Sequence, residues 1–261
     1  MNPTDPLLEL RHVTVRRGVK EGLRDVSLNI HSGEHVAIIG PNGSGKSTLI
    51  KVITRELYPL ARPELVCRMF GQETWDVFEL RSRFGLVSND LQATYARPIT
   101  AYEAILSGFF SSIGLWPAHQ VTPAMEAKAR SVMTRLEVTH LADRAVSEMS
   151  SGEARRLLIG RALVHDPQAL LLDEPTNSLD FRAAHEFREI VSKLAQEGHT
   201  IVMVTHTVAD VIPEISRAVL LKAGRVHADG PVAQMLSAPM LSDLFGMPLR
   251  VVQEDGRYGI L

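Results

Sequence analysis

Two stretches combine residue types and spacing that suit chemistry better than packing. The first, Gly40-Pro41-Asn42-Gly43-Ser44-Gly45-Lys46-Ser47, fits G-x-x-x-x-G-K-[ST] and stands between a strand-like and a helix-like segment. Glycines let the backbone fold around an anion with successive N–H groups turned inward, and a helix opening behind the loop adds partial positive charge. On this reading Lys46 reaches the β- and γ-phosphates of a nucleotide and the Ser47 hydroxyl ligates Mg²⁺, with Thr48 the next residue of the binding set. The second stretch, Ala169-Leu170-Leu171-Leu172-Asp173-Glu174, is an apolar strand ending in adjacent carboxylates. There Asp173 is placed to hold Mg²⁺ through water, and Glu174 to orient a water that attacks the γ-phosphate. An acidic pair after a strand ordinarily only terminates it; the upstream phosphate loop reverses those odds.

The elements that position these groups can be read from the pattern of apolar residues. Leu7 to Ile30 alternates in short runs with turn signals at Gly18 and Gly22, which predicts a small antiparallel sheet. The spacing then predicts strands at His35–Gly40, Leu65–Phe70 and Phe84–Ser88, and helices over Ser47–Leu57 and near Asp76–Arg83. From about Asn89 to Glu148 strand signals cease, and helices are expected over Ile99–Phe110 and Pro123–Val138, separated by a Gly/Pro/Ser-rich loop. Beyond Ser150 the alternation returns: a helix to about His165, strand Ala169–Asp173, helix Phe181–Gln196, and strands Thr200–Thr205 and Ala218–Lys222. This order predicts a mostly parallel sheet interrupted by an all-helical insert. Asp255-Gly256, between alternating apolar residues, predicts a two-residue hairpin turn near the end.

Composition bounds the alternatives. With 261 residues, 45% apolar and 22% charged, the chain reads as an ordinary globular protein, one large unit or a core carrying an insert. The formal net charge of −2 gives no field for steering onto nucleic acid, so no nucleic-acid partner is expected. A single cysteine, Cys67, rules out an intramolecular disulfide and a cysteine-based zinc site and reads as a small buried hydrophobe. No stretch approaches the roughly 18 consecutive apolar residues of a spanning helix, and the opening residues do not read as a secretory signal. The basic pair Arg155-Arg156 reads as a solvated helix face.

Further segments resemble one family. Ser150-Ser151-Gly152-Glu153, opening the helix ARRLLIGRALVHDP, resembles the signature motif of ATP-binding cassette (ABC) ATPases; Ser178-Leu179-Asp180 resembles their D-loop and His206 their switch histidine. With the phosphate loop and the acidic strand they occur in the family's order: phosphate loop, signature, acidic strand, D-loop and switch histidine. The resemblance spans most of the chain and implies an α/β P-loop NTPase (RecA-like) fold. It implies a cassette over residues 7–230 with a small N-terminal antiparallel β subdomain, a helical subdomain inserted over about 89–150, and a C-terminal tail over 231–261. It also implies ATP and Mg²⁺ as ligands and a second cassette as partner, a likeness pointing to a homodimer in which two chains sandwich two ATP molecules. Each nucleotide would then meet Lys46 of one chain and Ser150 of the other, His206 would contact the γ-phosphate, and Asp180 would communicate across the dimer.

Three departures from the family's pattern stand out. Where the family offers an aromatic to stack on adenine, this chain has Arg16 and Arg17; Arg17 is the candidate substitute, with a solvated arginine as the alternative. At the Q-loop, whose glutamine serves the metal site in the family, the candidates are Asn89 and Gln92. Ser151 and Glu153 replace the family's usual Gly and Gln, and Glu153 suits the first turn of a helix while placing a charge near phosphate.

The resemblance implies that the chain hydrolyses ATP to energise an ABC transporter, an importer in the first instance. The protein would then be cytoplasmic and peripheral on the inner face of the cell membrane, held there by integral permease subunits. A soluble ABC ATPase with a regulatory or assembly role is the alternative. Tyr95, Tyr102, Phe109, Phe110 and Trp116 cluster at the start of the helical insert, where they either line a permease-docking groove or fill the insert's own core.

Overall fold

The computed structural model describes residues 6–18, 20–88 and 99–261. The chain divides into two compact units, one formed by residues 1–77 with 200–261 and the other by residues 78–199.

In the first unit, β1 (Leu8–Arg17) pairs antiparallel with β2 (Lys20–Ile30) and with a later strand, β4 (Val66–Met69), giving the order β2-β1-β4. Register shifts along the β1–β2 ladder coincide with positive φ at His12 and Asp25, whose side chains meet at 2.8 Å. Beside this small sheet in sequence lies the parallel part: β3 (Val36–Ile39) runs between β7 (Thr200–Thr205) and β8 (Arg217–Lys222), parallel to both. β3 and β7 are buried throughout, as expected for strands covered on both faces. Strand β9 (Arg225–Pro231) adds an antiparallel edge on β8.

Helix α1 (Lys46–Ile53) buries Leu49, Ile50, Val52 and Ile53. It stops short of the expected Leu57, because Arg55 is left-handed (φ 60°) and its guanidinium donates to the carbonyls of Cys67 (3.0 Å) and Glu73 (2.6 Å). Cys67 is buried, as the sequence predicts. The tail forms two short helices, α7 (Val232–Met235) and α8 (Ala238–Phe245), and a hairpin of β10 (Val251–Glu254) and β11 (Arg257–Ile260). Asp255 (φ 47°) and Gly256 (φ 75°) make its turn, as their dipeptide predicts.

The second unit holds the parallel pair β5 (Phe84–Ser88) and β6 (Ala169–Asp173), in register from Phe84↔Ala169 to Ser88↔Asp173. Helix α2 (Val77–Arg83) leads into β5. The insert contains α3 (Ala101–Leu106), a 3₁₀ turn over Ser107–Phe110, and α4 (Pro123–Arg135). Thr100 and Thr122 cap α3 and α4 by accepting the N–H groups of Glu103 and Met125. Helix α3 gives way to the 3₁₀ turn, which carries the helical run to the expected Phe110, and the run ends where Ser111 is left-handed at φ 47°. Helices α5 (Ser151–Leu163) and α6 (Phe181–Gln196) complete the unit, α6 burying Ala184, Phe187, Val191 and Leu194.

Candidate functional site

Each unit carries part of the predicted set. In the first, β3 delivers the chain to Gly40, whose N–H donates to the Thr205 carbonyl at 3.3 Å. A side chain at Gly40 is impossible without rearrangement, since a Cβ there would lie 2.2 Å from the Leu221 carbonyl oxygen. Gly45, at φ 111°, both requires the glycine backbone and passes close to the Gly22 carbonyl. The Lys46 side chain is 5% exposed and donates to the carbonyls of Gly40 (2.8 Å) and Pro41 (3.2 Å), so its ammonium is held inside the loop. Helix α1 begins on Gly45 with no side-chain cap, and the buried Ser44 Oγ meets no hydrogen-bond partner among the described residues. A loop of N–H groups, an unpartnered hydroxyl and a buried ammonium fit a polyphosphate. Ser47 is exposed and Thr48 buried at the start of α1.

His206 follows β7 directly, and β7 pairs with β3 through Ile39↔Thr205, so the histidine leaves the sheet at the level of the phosphate loop. The turn after it is tied by Asp210, whose buried carboxylate accepts the Thr205 hydroxyl at 2.5 Å, while Thr205 Oγ1 accepts the Thr207 N–H at 3.0 Å. Sequence reasoning missed Asp210; a Thr and an Asp five residues apart around a strand end were the available signal.

A cavity of about 880 Å³ opens beside Gly43, lined in part by Arg16, Gly18, Glu21 and Arg24. Arg16, one of the two arginines standing where the resemblance leads one to expect an aromatic, is part of this lining. The Arg17 side chain lies outside the described residues, as do Asn89, Gln92 and Tyr95.

In the second unit, Asp173 ends β6 and Glu174 follows in the left-handed region at φ 44°. A non-glycine residue held there stores backbone strain, which concentrates at sites where a side chain must be aimed. Both carboxylates are half-buried. The chain then turns through Ser178 (φ 67°) to Asp180, whose carboxylate caps α6 by accepting the Ala183 N–H at 2.8 Å.

Ser150 and Glu153 form a reciprocal capping box at the start of α5. Ser150 Oγ accepts the Glu153 N–H at 3.3 Å, and Glu153 Oε2 accepts both the Ser150 N–H and its hydroxyl at 2.8 Å. These bonds, with lesser help from Arg144, hold the Glu153 carboxyl below its usual range. Gly152 packs tightly on the next helix: a Cβ there would be 2.9 Å from Ala183 Cβ, so the signature turn and the first turn of α6 are pressed together. Arg155 overturns the expectation of a solvated basic face. It is 1% exposed, and its guanidinium lies 3.5 Å from the Asn177 carbonyl, bracing the loop between Glu174 and Asp180. Arg156 pairs with Glu186 at 2.9 Å. The Asn177 loop and α6 supply these partners from distant parts of the sequence, which a two-residue motif cannot reveal.

A phosphate loop on a strand–helix junction, with an acid-tipped parallel strand elsewhere in the chain, defines a P-loop nucleoside triphosphatase. A family model for the ABC transporter matches residues 23–177. The chain is 36% identical to the phosphonates import ATP-binding protein PhnC of Stutzerimonas stutzeri, covering 88% of this chain and 86% of that protein. It is 31% identical to the hemin import ATP-binding protein HmuV of Bradyrhizobium diazoefficiens, covering 96% and 92%. A dimeric ATP-binding cassette in a post-hydrolysis state with ADP and Pi superposes with a TM-score of 0.70 at 27% identity, over 86% of this chain and 98% of that one. The chain belongs to the ABC transporter family and is an ATP-hydrolysing subunit of that family.

Proposed function

We propose that the chain energises an importer, binding MgATP as one half of a homodimer and passing the energy of hydrolysis to integral permease subunits. The observation that carries the nucleotide reading is the buried Lys46 ammonium enclosed by the Gly40–Ser47 backbone. Lys46 and the loop N–H groups take the phosphates, and the hydroxyl of Ser47 with the carboxylate of Asp173 is a hard oxygen donor set suited to Mg²⁺. Asn89 or Gln92 completes that set. When bound, Mg²⁺ neutralises charge on the β- and γ-phosphates. Glu174 orients a water whose oxygen attacks the γ-phosphorus as the bond to the β-phosphate oxygen breaks, and it accepts the proton released. His206 donates to the γ-phosphate. Ser150, Ser151, Gly152 and Glu153 serve the nucleotide of the other chain, and Asp180 links the two halves.

The import reading follows the hemin and phosphonate relatives, which are import ATP-binding proteins. It is also in keeping with a chain whose described helices are none long and apolar enough to cross a membrane. For the permease contact we favour the insert. Trp116 is 53% exposed there, and Phe110 stacks on His119 at 4.1 Å and Phe109 meets His165 edge-on at 5.3 Å, leaving both phenylalanines half-buried.

Glu174→Gln should bind ATP with wild-type affinity and hydrolyse it about 10²- to 10³-fold more slowly. Phosphate release under saturating MgATP measures this, and wild-type turnover would overturn the role given to Glu174.

A further inference from the structure

The hairpin of β10 and β11 has almost no core of its own. Of its residues only Tyr258 is buried, at 7% exposed, while Val252, Gln253, Glu254 and Ile260 face solvent. A two-stranded hairpin with 4 residues in each strand is marginal in water by itself, so this one depends on what β11 packs against. That surface is the 3₁₀ turn Val208–Asp210, which begins two residues beyond His206. The hairpin's own turn approaches the same segment: a Cβ on Gly256 would lie 3.3 Å from Pro213 Cβ. All of these residues belong to the first unit. From His206 to Ile215 the chain forms no regular element beyond that single turn, so contacts rather than a ladder hold it. Among the described residues, no other strand or helix packs on the turn as extensively as β11.

We propose that the hairpin β10–β11 sets the position of His206 for hydrolysis, with Tyr258 as the positioning residue. This rests on the reading of His206 as a donor to the γ-phosphate and adds to it the means by which that histidine is held. The coupling is short. β11 packs on Val208–Asp210, the Asp210 carboxylate accepts the Thr205 hydroxyl at 2.5 Å, and Thr205 Oγ1 accepts the Thr207 N–H at 3.0 Å, so His206 is bracketed on both sides along the chain. Val208, Val211 and Ile212 are buried beside that bracket. A hydrogen bond weakens steeply once its angle or length is lost, and a misplacement of about 1 Å costs a catalytic group much of its effect. Loosening the hairpin frees the downstream half of the bracket and lets the histidine drift.

The test uses the full-length chain and reads phosphate release with saturating MgATP, together with ATP affinity by equilibrium titration. Four variants are compared with the wild type: Tyr258→Ala, Tyr258→Phe, His206→Ala and the double variant Tyr258→Ala/His206→Ala. Tyr258→Ala is expected to lower kcat about 10-fold with ATP affinity unchanged, and Tyr258→Phe, which keeps the packed ring, to retain most of the rate. In the His206→Ala background the same change is expected to cost nothing further, because the group it positions is gone. An equal further loss in that background overturns the proposal, since Tyr258 would then act on the fold as a whole or on another group. A kcat for Tyr258→Ala within about twofold of the wild type overturns it as well, while leaving the reading of His206 intact. If His206→Ala itself turns over ATP at the wild-type rate, that reading fails and the positioning role with it. Where alanine does not yield folded protein, Tyr258→Leu takes its place in both backgrounds, with a loss of about fivefold expected in the first and none in the second.

Discussion

Single residues here serve two ends at once, and substitutions can separate them. Asp180 is both the N-cap of α6 and the proposed link between halves; its carboxylate accepts one backbone N–H at 2.8 Å. An asparagine keeps that acceptor and loses the charge, whereas alanine loses both. Asp180→Ala should therefore cost about 1 kcal/mol of stability and Asp180→Asn much less, as measured by urea unfolding. If ATP turnover falls equally in both variants, the charge and not the cap is what the reaction uses. Glu153 shows the same duality. Its carboxylate engages the N–H and hydroxyl of Ser150, the very donors the signature would offer a phosphate.

At the scale of elements, short contacts between neighbouring strands and loops set the conditions under which the site is held. His35, just before β3, accepts the Ile201 N–H of β7 on Nδ1 at 3.2 Å. Burial lowers its pKa, with Glu214 opposing the shift. A histidine whose folded pKa is lowered binds fewer protons folded than unfolded, so its contribution is complete above the ordinary value near 6.5 and is lost as pH falls through that range. Stability of the wild type should therefore decline from about pH 6.5 downward more steeply than that of His35→Gln. Parallel pH profiles from thermal melts of the two proteins would rule this out.

For the whole molecule, nucleotide binding should appear as stability. A ligand at a hundredfold its dissociation constant adds about 2.7 kcal/mol to the folded state. MgATP should accordingly raise the melting temperature of the wild type by several degrees, and the same concentration should leave Lys46→Ala unmoved. An equal rise in the variant would remove Lys46 from the phosphate site. Arg155 bears on the same scale: a buried guanidinium bracing the loop from Glu174 to Asp180 makes the signature helix and the acidic loop parts of one packed unit.

The amino-acid sequence alone determined the chemistry and much of the element order. A phosphate loop needs glycines and a lysine at fixed offsets along the chain, so its motif is local, and strands such as β7 and helices such as α6 announce themselves by period. The hairpin turn at Asp255-Gly256 was legible for the same reason. What depended on partners distant in sequence was not. β9 is held as a strand by the ladder that β8 supplies, and α1 stops early because Arg55 finds the Cys67 and Glu73 carbonyls. Arg155 looks solvated until α6 and the Asn177 loop close over it. Burial and strain are properties of what the chain folds against, and only the tertiary structure decides them.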